Sequence, residues 1–222
     1  MLLVGAAGLA TVPSLIEDEK AFGTATSCTA VSSPHDDCLR SFETTVTRTV
    51  IKEQNKSSEY TLYLNGPAQV PRSIDMGASE PLLKRLRPGD HVTVTLWRDY
   101  ATAVRQGKVF QETADTPEGE PVFMCALALA VINGGAYGLY AGVTALARSR
   151  RHAVWDLPAT LVTRGKEAAG AALCVLPTAA VGLFTGVPVM LVLWLGLLPL
   201  VRWIVQQQRS TGRHARPPVH TV

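Results

Sequence analysis

The chain has 222 residues, is 47% apolar and carries 21 Lys and Arg against 18 Asp and Glu, a formal net charge of +3. That average conceals a partition: residues 17–121 hold 12 basic and 16 acidic side chains, a balance of −4, whereas residues 122–222 hold 9 and 2, a balance of +7. The positive charges flank apolar runs, where a positive-inside bias puts them, which argues against nucleic acid as the reason for the basic character.

Residues 1–16 are apolar and uncharged, and Glu17, Asp18 and Glu19 follow at once. This run is shorter than the roughly 20 residues a spanning helix needs, and no Lys or Arg precedes it to form a signal n-region. The expectation is the outer part of a first transmembrane helix that begins upstream of Met1, with a signal peptide of unusual form as the other reading.

Residues 21–120 have a soluble composition and are numerous enough to bury a core of their own. Cys28 and Cys38 lie in this polar stretch and are expected to form a disulfide. Such a bridge suits an oxidising compartment and restricts the unfolded chain by about 2 to 3 kcal/mol. The segment from Gly23 to Asp37 reads as irregular, and His35-Asp36-Asp37 reads as a turn before Cys38 rather than a metal site, because adjacent residues rarely converge on one ion. Strand signals follow at Phe42 to Glu53, Tyr60 to Leu64 and Ser73 to Met76. The sequon-like Asn55-Lys56-Ser57 lies between the first two. A short helix is expected after Ser79, with Leu82, Leu83 and Leu86 on one face and Pro88-Gly89 as its stop. His91 to Arg98 alternates Val92, Val94 and Leu96 with Thr93, Thr95 and Trp97. Tyr100 to Val104 and Lys108 to Thr113 then form a hairpin around Gln106-Gly107. Five or six short strands and one helix point to a small β-barrel or sandwich.

Residues 121–147 contain no formal charge, and Arg148, Arg150 and Arg151 close the run, so it reads as a transmembrane helix whose arginine end faces the cytoplasm. Residues 148–167 become a cytoplasmic basic loop with Trp155, Leu157 and Leu161 near the interface. Between residues 168 and 205 Arg202 is the sole charge. One straight helix of that length would measure about 57 Å, nearly twice a bilayer core of roughly 30 Å. The Thr185-Gly186-Val187-Pro188 segment supports a transmembrane hairpin, which returns the basic tail of residues 206–222 to the cytoplasm; one long tilted helix is the alternative. The plan totals three to four passes, with residues 17–121 extracytoplasmic.

Ala126, Ala130, Gly134, Gly138 and Gly142 recur at every fourth position, a small-residue stripe expected to pack against another helix, either in this chain's own hairpin or in a second copy. Asn133 lies beside that stripe, and Gly182 with Gly186 form a shorter version. Cys125 and Cys174 sit in apolar runs and read as small buried residues. Residues 121–147 and 168–201 hold no Asp, Glu, Lys, Arg, His or Ser, which counts against ion-coupled transport or intramembrane proteolysis. No motif implies a catalytic residue, a metal or another cofactor. The partners implied are the lipid bilayer and a protein partner or second copy through the membrane helices.

The Asp37-Cys38-Leu39-Arg40 stretch, Pro81-Leu82-Leu83 leading to Leu86-Arg87-Pro88-Gly89-Asp90, the strand ending Trp97-Arg98 and the closing apolar hairpin resemble uncharacterised multi-pass integral membrane proteins of actinobacteria. The resemblance covers residues 28–205 and implies a membrane topology and a host, with no activity. The expected fold class is an α+β membrane protein, and the expected role is an extracytoplasmic binding, sensing or accessory module. The alternatives are an envelope enzyme using His35, Asp36 and His91, or a small channel or transporter.

Overall fold

The structure is a computed structural model that describes residues 1–28, 36–54, 57–148 and 159–213. The chain divides into two compact units, Glu17–Glu118 and Met1–Ile16 with Gly119–Val222.

The Glu17–Glu118 unit is built on a seven-stranded sheet. Its strands are β1 (Thr26–Ser27), β2 (Cys38–Gln54), β3 (Ser57–Asn65), β4 (Ser73–Asp75), β5 (His91–Trp97), β6 (Tyr100–Gln106) and β7 (Val109–Glu112). The order is β4-β3-β2-β5-β6-β7, antiparallel throughout, and β1 adds in parallel to the start of β2. β2 serves two partners in turn: Leu39 to Thr45 pairs with β5, and Thr45 to Gln54 pairs with β3. A register shift between Val46 and Arg48 marks the handover. Gly66 permits the close return of β3, since a Cβ there would lie 2.5 Å from Thr44 Cγ2.

The alternation in β5 is realised, with Val92, Val94 and Leu96 buried. Trp97 breaks the alternation and is buried as well. In β6, Thr102 is the extra residue of a bulge opposite Thr95 and Leu96, so Ala101 and Thr102 both turn inward. The core joins Val46, Leu62, Leu64, Ile74, Val94, Leu96 and Val104 to Met76, Leu82, Leu83 and Leu86 from the segment between β4 and β5.

Two expectations are corrected here. The sheet is open, neither a barrel nor a sandwich, because β4 and β7 share no ladder. These edge strands have three and four residues, too few to close a ring. The gap is stitched instead by Ala114 N–H donating to Asp75 O at 2.9 Å and by the Gln111 side chain. Its Oε1 accepts from Leu82 N at 2.8 Å and Leu83 N at 3.1 Å, and its Nε2 donates to Ala78 O at 2.8 Å. The expected α-helix is a single 3-10 turn, Leu83–Arg85, without a side-chain cap from Ser79. Gln111 has taken the amides that a longer helix would have to place, and adjacent Leu82 and Leu83 are both fully buried, a pattern for a covering turn rather than a one-faced helix. Further small differences lie in the chain's turns: β1 inserts two paired residues into the stretch read as irregular, and the β6–β7 turn residues are Gly107 and Lys108.

The second unit consists of helices: α1 (Leu2–Gly23), whose residues beyond Ile16 belong to the β unit, α2 (Glu120–Arg148), α3 (Ala159–Leu173), α4 (Val175–Thr185) and α5 (Val187–Arg213). Among the described residues three helical stretches are long and apolar enough to cross a membrane: Glu120–Ala147, Thr160–Thr185 and Val187–Gln208. α1 is helical beyond the apolar run and through Glu17, Asp18 and Glu19. Its Leu9, Val12 and Ile16 pack with Val122, Cys125 and Leu129 of α2 and with Val175, Val187 and Met190 of the later helices.

α3 and α4 form one nearly continuous stretch interrupted at Cys174. Pro177 lacks the N–H that Leu173 O would accept, and Thr178 Oγ1 donates to Cys174 O at 2.9 Å. Gly186, at φ 87°, ends α4, and Pro188 suits the first turn of α5. The arms then run antiparallel: a Cβ at Gly182 would meet Met190 Cβ at 2.9 Å, and one at Gly170 would meet Val201 Cγ1 at 2.6 Å. The first arm starts at Ala159 rather than at residue 168, so Arg164, Lys166 and Glu167 are helical and not part of a loop. Residues 149–158, with Arg150, Arg151, Trp155 and Leu157, lie outside the described residues, as does the tail from residue 214.

Candidate functional site

At one end of the β unit, the β5–β6 turn places Arg98 at φ 49°, a left-handed conformation that a side chain with a Cβ adopts only when held there. Its Nε donates to Asp37 Oδ1 and its Nη1 to Asp18 Oδ1, each at 2.7 Å. The guanidinium lies 4.2 Å from the ring centre of Trp97, and Phe22 meets that ring edge-on at 5.7 Å. Arg40 Nη2 donates to Arg98 O. The Cys28–Cys38 disulfide, with Cα atoms 5.0 Å apart, holds the chain next to Asp37. Asp37 first and Asp18 second raise the Arg98 pKa above its ordinary value. The cluster ties the end of α1, the disulfide segment and the β5–β6 turn into one clasp. Its described members are a cation and its acceptors, which hold these segments together.

The residues considered for catalysis are not brought together. His91 starts β5 opposite Thr45, and its Nδ1 lies 3.4 Å from Thr45 Oγ1. Asp36 precedes the start of β2 at Cys38, seven residues before Thr45, which puts it upwards of roughly 20 Å from His91 at about 3.4 Å per residue. Asp90 Oδ2 accepts from Arg87 N at 2.8 Å and shapes a turn. His35 and the Asn55-Lys56 pair lie outside the described residues. No group of three or more His, Cys, Asp or Glu placed to share a metal occurs among the described residues.

In the helical unit the small-residue stripe does not pack as expected against this chain's own hairpin. Ala126 lies against the core, yet nothing approaches within 4 Å of a Cβ built at Gly134, Gly138 or Gly142. The physical reason is the period. Each four-residue step advances about 40° around a helix, so the stripe winds roughly 160° from Ala126 to Gly142 and leaves the packed face marked by Val122, Cys125 and Leu129. Ala130 is only partly buried, and Asn133 Nδ2 donates to Leu129 O of its own helix at 2.8 Å. Close helix approach is carried elsewhere, by Gly5, Gly135, Gly165, Gly170 and Gly182.

Between α2, α3 and α5 lies a cavity of about 310 Å³ whose polar lining comprises Asn133, Tyr137, Tyr140, Arg164, Glu167 and Arg202. Tyr137 Oη donates to Leu161 O at 3.4 Å, and Gly165 makes room for that ring, since a Cβ there would lie 2.9 Å from the hydroxyl. Arg164 Nη1 pairs with Glu167 Oε2 at 2.8 Å, while Arg202 forms no ion pair among the described residues. Sequence reasoning missed this grouping because it placed Arg164 and Glu167 in a loop. An i, i+3 charge pair at the head of an apolar run was the available signal.

The chain was compared with protein-family models, with curated proteins and with solved structures, and none of the three comparisons found a match.

Proposed function

We propose that the chain is a multi-pass plasma-membrane protein that presents the Glu17–Glu118 unit outside the cell as a binding or accessory module. The observation that carries this reading is the division of the chain itself. A β unit with its own core and disulfide is inserted between the segment Met1–Ile16 and three helices long and apolar enough to cross a membrane. The bias of positive charge toward residues 122–222 supports an inside location for the end of α2 that carries Arg148, and hence an outside location for the β unit. The disulfide agrees with an oxidising side. The resemblance noted in the sequence adds an actinobacterial host. In this reading the clasp at Arg98 keeps residues 17–23 and the disulfide segment ordered, and recognition belongs to the exposed strands, including Tyr100 and Phe110, which are 54% and 48% exposed.

The test is in intact cells. A photo-crosslinking residue in place of Tyr100 or Phe110 is expected to give a discrete adduct, and a cysteine in place of Ser58 is expected to react with a membrane-impermeant maleimide. Labelling of that cysteine only after lysis would overturn the outside placement. A correctly placed unit that yields no adduct, in a purified protein that turns over an envelope substrate, would overturn the module in favour of an enzyme.

A further inference from the structure

We propose that the cavity between α2, α3 and α5 binds the phosphate of an anionic phospholipid headgroup, with Arg202 as its principal cation. The inference rests on the membrane placement proposed above. It starts from a charge count. Arg164 and Glu167 neutralise one another across 2.8 Å, and the Glu167 side chain is only 19% exposed, so that pair is committed. Arg202 lines the same cavity and forms no ion pair among the described residues. Two arginines against one glutamate leave one positive charge without a partner in an otherwise apolar bundle. A cation that enters a spanning segment short of its end is costly unless something compensates it, and a phosphate does so with charge-assisted hydrogen bonds.

The depth fits. Arg202 is about 22 Å along α5 from Val187, at 1.5 Å per residue, which in a core of roughly 30 Å is the inner third. From there its long stem reaches the headgroup level. Tyr140 lines the same wall and adds a hydroxyl donor at the level where aromatic residues meet the interface. Asn133 and Tyr137 are tied to Leu129 O and Leu161 O and act as walls. A volume of about 310 Å³ is at the lower end of the roughly 300 to 1,000 Å³ of ligand pockets and suits a headgroup whose acyl chains stay in the bilayer. Basic clefts between spanning helices on the cytoplasmic side are the general setting for such recognition.

The test uses the full chain in nanodiscs of phosphatidylcholine, with and without phosphatidylglycerol, and counts retained lipid by native mass spectrometry. Wild type is expected to retain phosphatidylglycerol selectively. Arg202→Gln is expected to lower retention about fivefold, equivalent to the roughly 1 kcal/mol contributed by one basic group near an anionic surface. Arg202→Lys, which keeps the charge, is expected to retain most of it, and Leu193→Ala, in the apolar groove between α4 and α5, to leave it unchanged. Equal retention of both lipids, or a loss in Arg202→Lys and Leu193→Ala as large as in Arg202→Gln, would overturn the site. Inorganic phosphate that displaces the lipid in an Arg202-dependent way at matched concentration would reassign the site to a free phosphate and overturn the lipid as its ligand. Recovery of the protein in soluble form without detergent would instead defeat the membrane placement on which the inference depends.

Discussion

The two units of this chain treat apolar side chains in opposite ways. In the β unit Leu62, Leu82 and Leu83 are fully buried in one contiguous core. In the helical unit Phe184 is 90% exposed, and only 11 to 22% of the residues in the most apolar windows of the spanning candidates are buried. The first arrangement excludes water by folding on itself. The second leaves much of its apolar surface uncovered within the chain, which accords with the membrane placement proposed above.

The sharpest way to break this contrast is a pair of truncations. Leu62→Ala is expected to destabilise the β unit by about 2 to 5 kcal/mol, the usual cost of a core cavity. Phe184→Ala should stay within about 0.5 kcal/mol in detergent, as an exposed site does. Denaturant unfolding of the full chain, read by hydrogen exchange of β3 peptides for the first variant and of α4 peptides for the second, measures both. Comparable losses would mean that the exposed helical surface is packed after all.

Which parts of this arrangement were legible in the sequence follows from how local their causes are. The break at Gly186 rests on a glycine needing positive φ and a proline in the first turn of the next helix, and β5 rests on alternation from Val92 to Leu96; both signals lie within a few residues. The open sheet does not. Its open gap is bridged by Gln111 meeting the amides of Leu82 and Leu83, which are 29 and 28 residues away, and no local pattern announces that contact. The Arg98 clasp likewise joins Asp18, 80 residues away, to Asp37. Burial of Trp97 follows from the same long-range packing, with Phe22 against its ring. In the bundle, a four-residue spacing suggested a packing stripe, but helical winding carries that stripe off the packed face. Arg164 and Glu167 were hidden by a misplaced helix start.

Within the helical unit the same contrast reappears among its glycines. Gly170→Leu must displace Val201, whose Cγ1 would be 2.6 Å from the new Cβ, and is expected to cost about 1 to 3 kcal/mol. Gly138→Leu meets nothing within 4 Å and should leave the thermal stability of the detergent-solubilised chain unchanged or slightly raised. If Gly138→Leu were the more damaging of the two, the stripe would be packed against a partner and its exposure in the single chain would mislead.

The smallest expected effect separates the buried from the solvated within the β unit itself. The β2–β3 ribbon carries Lys52 and Glu59 as a 2.7 Å ion pair whose side chains are 61% and 45% exposed. The hydrogen bond from Lys52 is the first cause holding the Glu59 pKa below its ordinary 4.5, with Thr61 and Arg48 adding to it. A depressed carboxylate pKa means that the pair's contribution is present above 4.5 and fades as pH falls through the lower folded value. An NMR titration of the Glu59 carboxyl carbon should therefore show a midpoint below 4.5 in the wild type and a shift back toward 4.5 in Lys52→Met. Solvent screening keeps the accompanying change in global stability too small to register, while the protection of the β3 amides beside Glu59, relative to their intrinsic exchange at the same pH, falls slightly at low pH. An unchanged midpoint in Lys52→Met would show that Thr61 and Arg48 set the shift, and the ribbon would then be held by its backbone ladder rather than by charge.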